Sequence, residues 1–310
     1  MLCKDDCGEL PPTLSGAIIN HGDIFNEAQT ADFLRGKSFD AVVNWIIFSP
    51  ADIERDIRLF TGKTDQYIFV STASAYEKPA RSYIITERTP LANPHWEYSR
   101  KKIECEKLLF AAFNEQHFPA TVVRPSLTYG DRWIPYHMAS DKSWSLIDRI
   151  RRGKRVIVPG DGTSIWTITH NTDFAQGICG LVGNPRAVGE AFHITSDEVL
   201  TWNDILRQIG DAVGVEAKTA HISSEFILAF MPEKEGSLLG DKVVCSVFDN
   251  SKLKGLVPEF TTQTRFAEGI KRTVDFYDAH PGWQAVDEKF EAAVDKIIAA
   301  HDYGMGLAGR

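Results

Sequence analysis

The stretch YIFVSTASAY, residues 67–76, decides the fold class that the sequence predicts. Its first four side chains are all apolar, and the earlier stretch AVVNWII at 41–47 is apolar almost throughout. Such runs are typical of strands in a parallel sheet that helices cover on both faces, whereas antiparallel strands usually alternate with polar residues. The hydroxyl residues Ser71 and Thr72 follow the run directly. Since open α/β sheets bind ligands at the carboxyl ends of their strands, we expect a ligand site here.

Apolar runs and amphipathic segments alternate on both sides of this stretch, which is typical of α/β proteins. The predicted strands cover residues 17–20, 40–47, 67–72 and 121–126, and the predicted helices cover 27–35, 52–60 and 97–113. After about residue 131 the sequence predicts a helix at 144–154, a strand and turn at 155–164, a strand at 191–195, and helices at 201–214 and after 264. We therefore predict a second, smaller domain built on the first.

The composition is that of an ordinary globular protein of 310 residues, and it argues against several classes of partner. The formal net charge is −8 and no basic run is present, so we expect no nucleic-acid partner and no attraction to anionic membranes. No apolar run approaches the roughly 20 residues that span a bilayer, and acidic residues stand where a signal peptide would be apolar. We expect a soluble, cytoplasmic protein.

The five cysteines are odd in number and mostly far apart, which favours reduced thiols over a disulfide framework. Cys3 and Cys7 could begin a metal site, but no second pair of ligands follows them. Because a structural zinc site needs about four ligands, we expect no bound metal.

The segment EYSRKK, residues 97–102, allows two interpretations. With the helical period, one stripe of the predicted helix carries Tyr98, Lys102, Cys105, Leu109 and Ala112. In the first interpretation Lys102 lies along an apolar surface and Tyr98 is simply a buried aromatic residue. In the second, the two side chains form an acid/base pair on one helix face. The hydroxyl residues that follow the strand at 67–70 favour the second interpretation.

Several motifs together resemble one known family. STASAY at 71–76, the pair Tyr98 and Lys102, and RPSLTYG at 124–130 resemble, in order and spacing, the extended short-chain dehydrogenase/reductases, in particular their NAD-dependent epimerase/dehydratase group. GDGTSIWTITHNTDFA at 160–175 and GEAFHITSDEVLTWNDI at 189–205 are similar to that group's substrate-domain segments. The resemblance covers about residues 15–275.

This resemblance implies an α/β fold with a Rossmann-like, doubly wound parallel sheet and a smaller C-terminal substrate domain. The nicotinamide-dinucleotide domain would comprise residues 1–130 and 166–200. The substrate domain would comprise residues 131–165 and 201–310. The family often pairs through the helix that carries the tyrosine, so a homodimer is a possible state.

The resemblance also implies an enzyme with NAD or NADP as cofactor and a small-molecule substrate. Tyr98 would be the general acid/base at a hydroxyl or carbonyl carbon during hydride transfer. Lys102 would favour the phenolate, since a phenol with a pKa near 10 is a poor base at neutral pH, and would bind the nicotinamide ribose. Thr72 would hold the substrate oxygen, although a cap at the strand end would also explain this residue.

Further cofactor contacts are implied with less support from the residues themselves. Asp23 and Ile24 would lie against the adenine, although a helix cap would explain them equally well. Asn44 would lie near the edge of the cofactor. Pro125 and Ser126 follow the strand that passes the nicotinamide.

The sequence departs from the family in the cofactor region. The early glycines, Gly8, Gly16, Gly22 and Gly36, do not have the spacing of the family's G-x-x-G-x-x-G loop. We therefore expect the first strand-helix-strand unit to be missing. Either the strand at 17–20 pairs with the strand at 40–47, or it is loosely held, or the chain is a shortened version of a longer product.

The predicted substrate site also departs from the family. Members that act on nucleotide sugars carry an asparagine and an arginine where this chain has Leu127 and Trp166. An apolar residue and an indole cannot replace these groups on a diphosphate, so a more apolar substrate is plausible, unless Arg132, Lys154 or Arg155 supplies charge from elsewhere. An alternative function is a non-catalytic binding protein that keeps the fold without the dinucleotide loop.

Overall fold

The computed structural model describes residues 2–3, 16–18 and 20–306. Cys7, Gly8, Ile19 and the side chain of Cys3, which enter the predictions above, lie outside this part. The chain forms two compact units. The first comprises Met1–Val70, Glu104–Val122 and Val182–Glu190, and the second comprises Ser71–Ile103, Val123–Leu181 and Ala191–Arg310. These boundaries follow packing and differ from those of the predicted nucleotide and substrate domains, which stay a prediction.

Strands and helices alternate through most of the described chain. The strands are β1 (Leu2–Cys3), β2 (Asn20–His21), β3 (Val42–Asn44), β4 (Tyr67–Val70), β5 (Ile84–Ile85), β6 (Ala120–Pro125), β7 (Leu127–Tyr129), β8 (Val156–Pro159), β9 (Ile165–Trp166), β10 (Ile168–His170), β11 (Ala191–Ile194), β12 (Leu200–Thr201), β13 (Thr219–Ile222) and β14 (Val247–Phe248). The helices are α1 (Glu27–Phe33), α2 (Pro50–Phe60), α3 (Glu97–Gln116), α4 (Trp144–Arg151), α5 (Asn171–Leu181), α6 (Trp202–Val213), α7 (Ser224–Leu228), α8 (Glu235–Ser237), α9 (Ser251–Leu256), α10 (Phe266–Ala279) and α11 (Glu288–Gly304).

The sheet of the first unit is parallel, as predicted. Strands β3 and β4 pair in parallel, and the beginning of β6 lies on the other side of β4. The ladder between β4 and β6 also runs parallel, because the Tyr67 N–H donates to the Pro119 carbonyl and the Ser71 N–H donates to the Val123 carbonyl. All four residues of β4 are buried. The α/β class is therefore confirmed.

The edge of this sheet differs from the prediction. Strand β3 ends at Asn44, and the next two side chains, Trp45 and Ile46, are 53% and 45% exposed. Among the described residues, β3 is the outermost strand of its sheet and has one neighbour, so no described strand lies on its other side. Of the predicted strand at 17–20, residues 17 and 18 lie outside any strand and Asn20 begins β2. Strand β2 pairs with β1 in parallel and, within the described part, does not pair with β3.

Strands of the second unit form several small pairs. The end of β6 lies beside β11. The pairs β7 with β10, β8 with β13 and β5 with β14 are parallel, and β9 with β12 is antiparallel. Helix α6 ends at Gly214, as predicted, and it begins at a capping box formed by Thr201 and Asp204. No helix in the described ranges is long and apolar enough to cross a membrane.

Candidate active site

A cavity of about 240 Å³ in the second unit brings together six of the predicted site residues. Those residues are Thr72, Tyr98, Pro125, Ser126, Leu127 and Trp166. The cavity wall also contains residues that the sequence did not indicate, among them Trp96, Asp241, Lys242 and Phe248. The predicted hydroxyl, phenol and substrate-contact residues therefore share one small space.

Thr72 serves both roles that the sequence left open. Its Oγ1 atom accepts a hydrogen bond of 3.1 Å from the Ser74 N–H, so it caps the short 3-10 helix Ala73–Ala75. The Thr72 hydroxyl also hydrogen-bonds the phenol of Tyr98. Ser74 continues this chain of hydroxyl groups to Ser99, whose Oγ lies 2.6 Å from the Ser74 Oγ. A cap therefore fixes Thr72 where it meets Tyr98.

Helix α3 presents Tyr98 and Lys102 on its buried side. Lys102 is 1% exposed, and its Nζ lies 6.0 Å from the centroid of the Tyr98 ring. The neighbouring Lys101, in contrast, is exposed and pairs with Glu97 at 2.8 Å. Burial of an ammonium group is costly unless the group is paired and hydrogen-bonded. The helical stripe inferred from the sequence is thus present in the structure.

The phenol of Tyr98 is held in its protonated form at neutral pH. Burial raises its pKa above the ordinary value, and the negative charge of Asp241 acts in the same direction. The hydrogen bond from Thr72 lowers the pKa and so opposes these two effects. The phenol therefore carries its proton at neutral pH, as a general acid must before it acts.

Asn93 holds the residues around Tyr98 in place, and no sequence motif pointed to it. Its Nδ2 donates to the carbonyl oxygens of Ser74 at 2.8 Å and Gly240 at 2.6 Å, and its Oδ1 accepts from the Trp96 N–H at 3.1 Å. The Trp96 ring then packs against Tyr98 with centroids 5.0 Å apart. One buried amide thus connects three segments of the cavity wall.

Trp166 lies in the cavity wall among cationic side chains. It is 2% exposed and stacks on Trp202 with centroids 5.7 Å apart. The Nζ atoms of Lys242 and Lys78 lie 5.0 and 5.4 Å from the centroid of its ring. These lysines, together with Asp241, were not indicated by the sequence.

The cationic residues named in the sequence analysis do not belong to the described wall of this cavity. Arg155 pairs with Asp302, and Lys154 pairs with Asp295 at 2.7 Å. The guanidinium carbon of Arg132 lies 5.4 Å from the centroid of the Phe276 ring. Lys242 supplies cationic charge here instead.

The remaining predicted cofactor residues, Asp23, Ile24 and Asn44, lie in the first unit. Ile24 and Asn44 line a groove of about 800 Å³ there. Asp23 Oδ1 accepts from the Phe25 N–H at 3.0 Å, whereas the cap of α1 is Asn26, so Asp23 is not the helix cap. Their contact with a cofactor stays a prediction.

Asn44 also has a structural role in the first unit. Its Nδ2 donates to the buried carboxylate of Asp56 at 2.6 Å, and its Oδ1 accepts from the Ile46 N–H at 3.0 Å. The Tyr67 hydroxyl donates to the same carboxylate at 2.6 Å. The Asn44 side chain is therefore tied into the core beneath β3 and β4.

Comparison with known proteins identifies the family. The model of the NAD dependent epimerase/dehydratase family matches residues 4–195. The chain belongs to this family.

Relatives within the family vary in what they do. The chain is 26% identical over 222 residues to 2'-dehydrokanamycin reductase of Streptomyces kanamyceticus, a match that covers 71% of this chain and 61% of the reductase. It is 27% identical over 152 residues to a chloroplast stem-loop binding protein of 41 kDa from Arabidopsis thaliana, covering 49% of this chain and 37% of that protein. The chain thus spans less than two thirds of the length of these curated relatives.

Solved structures show the same fold. UDP-glucuronic acid 4-epimerase from Bacillus cereus, in complex with UDP-glucuronic acid and NAD, superposes with a TM-score of 0.68 at 19% identity, covering 86% of this chain and 82% of the epimerase. The Rossmann-like fold of the family is therefore shared by this chain.

Proposed function

We propose that this chain is an NAD-dependent oxidoreductase or epimerase/dehydratase that acts on a small molecule. Tyr98 serves as the general acid/base at a carbon that carries a hydroxyl or carbonyl group. The observation that supports this most is that Tyr98 and Thr72 line one cavity, while the buried Lys102 lies behind them with its Nζ 6.0 Å from the centroid of the Tyr98 ring. The NAD in the solved epimerase and the name of the family favour NAD over NADP.

The residues around the Tyr98 phenol suit the nicotinamide end of such a cofactor. An ammonium, a phenol and a hydroxyl, from Lys102, Tyr98 and Thr72, offer the donors and acceptors that ribose and substrate hydroxyl groups need. Pro125 and Ser126 line the same cavity and complete the set that would hold the cofactor there. The bound cofactor supplies or accepts the hydride.

Side chains of the protein carry out the proton transfer. The Tyr98 phenol, protonated at neutral pH, gives its proton to the substrate oxygen as the carbon gains a hydride, and takes the proton back in the reverse direction. Thr72 donates to the same oxygen and keeps it within reach of the phenol. The Lys102 ammonium favours the phenolate that forms, since an opposite charge nearby stabilises it.

Substitution of the phenol tests this assignment. Tyr98→Phe removes the proton donor but keeps a ring beside Trp96, so we expect NADH-dependent reduction of a panel of ketoses and ketones to fall by about 100-fold or more. Circular dichroism should be unchanged, because the variant loses one hydrogen bond, to Thr72, and keeps the ring contact with Trp96. Tyr83→Phe, at an exposed tyrosine, is the matched control and should keep the wild-type rate. A Tyr98→Phe enzyme as active as the wild type would remove Tyr98 from the mechanism.

The non-catalytic alternative makes a different prediction. A protein that kept the fold for binding alone would bind neither NADH nor NADPH, even at millimolar concentration. Titration of the purified chain, followed by nicotinamide fluorescence, separates the two functions.

A further inference from the structure

Trp96 forms the part of the cavity wall that lies beside the phenol of Tyr98. Both residues line the candidate active-site cavity, and the centroids of their rings are 5.0 Å apart. Trp96 is half-buried, so part of its surface faces the cavity and can be touched by a ligand there. A substrate whose oxygen meets the phenol must therefore pass a neighbouring part of its structure close to this indole.

Two glycines allow a helical segment to pack closely against the Trp96 indole. This segment, residues 235–242, comprises α8 and a short π-helix. A Cβ added at Gly236 would clash with Trp96 Cδ1, and a Cβ added at Gly240 would lie 3.0 Å from Trp96 Cβ. Only glycine permits an approach this close, because it has no side chain. The segment therefore presses on Trp96 and restricts its movement.

Asn93 fixes Trp96 and the same segment through hydrogen bonds. The Asn93 Oδ1 accepts from the Trp96 N–H at 3.1 Å, and its Nδ2 donates to the Gly240 carbonyl at 2.6 Å. Asn93 is buried, so water competes little for these bonds. The indole cannot turn away from the cavity without displacing Asn93 or the segment 235–242. The wall is therefore rigid beside Tyr98.

The space that this rigid wall encloses is small. The cavity has a volume of about 240 Å³, whereas pockets for drug-sized ligands run from about 300 to 1,000 Å³. Leu127 and Phe248 also line it, so Trp96 belongs to a wall with several apolar side chains. Closely packed side chains resist displacement, so a ligand group that overlaps with the indole is excluded rather than accommodated.

We propose that Trp96 is a specificity-determining residue, which limits the size of the group that a substrate carries next to the carbon that reacts at Tyr98. A ketone or alcohol with a small neighbouring group fits beside the indole. One with an aromatic neighbouring group overlaps with it. This inference rests on the proposed function and adds a size limit to the class of substrate.

The test compares the affinities of two ketones for the full chain, measured by saturation-transfer NMR with and without NAD. Cyclohexanone and 2-phenylcyclohexanone share the ring and the carbonyl, and differ in a phenyl group next to the reacting carbon. Apolar area alone would favour the larger ketone, so a preference for cyclohexanone indicates exclusion. We expect the wild type to bind cyclohexanone more tightly. Trp96→Ala should shift the affinity ratio by about tenfold or more toward the larger ketone, and Trp96→Phe should shift it less.

Trp283→Ala is the matched control, because Trp283 is 50% exposed and is not among the described lining residues. It should leave the affinity ratio unchanged. Circular dichroism checks that the variants are folded, and Trp96→Phe, which keeps a ring beside Tyr98, decides the test if Trp96→Ala is not. A wild type that prefers the larger ketone, binding of neither ketone, or a ratio that the Trp96 variants do not change would each overturn the inference. Because the readout is binding, its failure is separate from a failure of hydride transfer in the Tyr98→Phe experiment.

Discussion

Tyr98 and Lys102 could be found in the sequence because a helix repeats its faces every 3.6 residues, and one stripe of α3 carries both of them. Asn93 and Lys78 could not be found in this way. Asn93 reaches Gly240 across 147 residues of chain, and Lys78 reaches Ser246 across 168. A local sequence pattern does not show contacts between residues so far apart in the chain. The site residues that belong to motifs, such as Tyr98, could therefore be predicted, and those that tertiary packing brings to the site, such as Asn93, could not.

His137 gives the second unit a pH dependence of stability. Its Nδ1 is buried without a hydrogen-bond partner among the described residues. Burial, together with the charges of Lys242 and Lys234, holds its pKa well below the usual value. Since an unfolded histidine titrates near pH 6.5, the unfolded chain binds the extra proton below that pH. The contribution of His137 is therefore present above about pH 6.5 and is lost as the pH falls below it, by up to about 1.4 kcal/mol per pH unit.

His137→Phe tests this dependence, because phenylalanine keeps a ring beside Trp202, whose centroid lies 3.9 Å from that of His137. Urea unfolding at about pH 7.5 and about pH 5.5 should show a smaller loss of unfolding free energy in the variant than in the wild type. His280→Phe, at an exposed histidine, should behave like the wild type. Equal losses in all three proteins would mean that His137 is not the group responsible.

The end of helix α6 was predicted correctly, whereas the end of strand β3 was not, and the difference has a physical cause. Helix α6 ends where Gly214 adopts a φ of +81°, and it begins at Thr201, whose side chain accepts from the Asp204 N–H. Both signals are local. A strand ends where its neighbour ends, so β3 stops at Asn44 although the apolar run continues to Ile47. The sequence of one strand does not show where the neighbouring strand ends.

Substitution of Gly214 measures how much the left-handed glycine at the end of helix α6 contributes to stability. No atom lies within 4 Å of a Cβ added at Gly214, so Gly214→Ala creates no clash and changes only the backbone preference. A residue with a side chain pays about 1–2 kcal/mol in the left-handed region, and we expect the unfolding free energy to fall by that amount. Gly255→Ala, inside α9 and equally open, should be neutral or stabilising because alanine favours a helix. Equal urea midpoints for the two variants would contradict this explanation.

For the chain as a whole, the alternation of apolar runs and amphipathic segments predicted the α/β class, because buried strands are apolar and the helices between them are amphipathic. The division into packed units was not predictable in the same way. Strand β6 and helix α3 each contribute residues to both units, at Val122–Val123 and Ile103–Glu104. A sequence pattern marks where an element lies, but it does not mark which of its residues pack with which part of the chain.

The predicted homodimer can be tested through the charged side chains on the exposed face of helix α3. The exposed face of α3 carries Glu97, Arg100, Lys101, Glu104 and Lys107. If the chain pairs through α3, this face makes the contact largely electrostatic, so we expect a dimer that weakens as salt rises, since the screening length falls from about 10 Å at 0.1 M to about 3 Å at 1 M. Sedimentation velocity at the two salt concentrations measures this. Lys101→Glu with Lys107→Glu should favour the monomer at low salt, whereas Lys271→Glu on α10 should not. A dimer indifferent to salt and to these charges would place the contact away from α3, and a monomer at low salt would exclude the pairing.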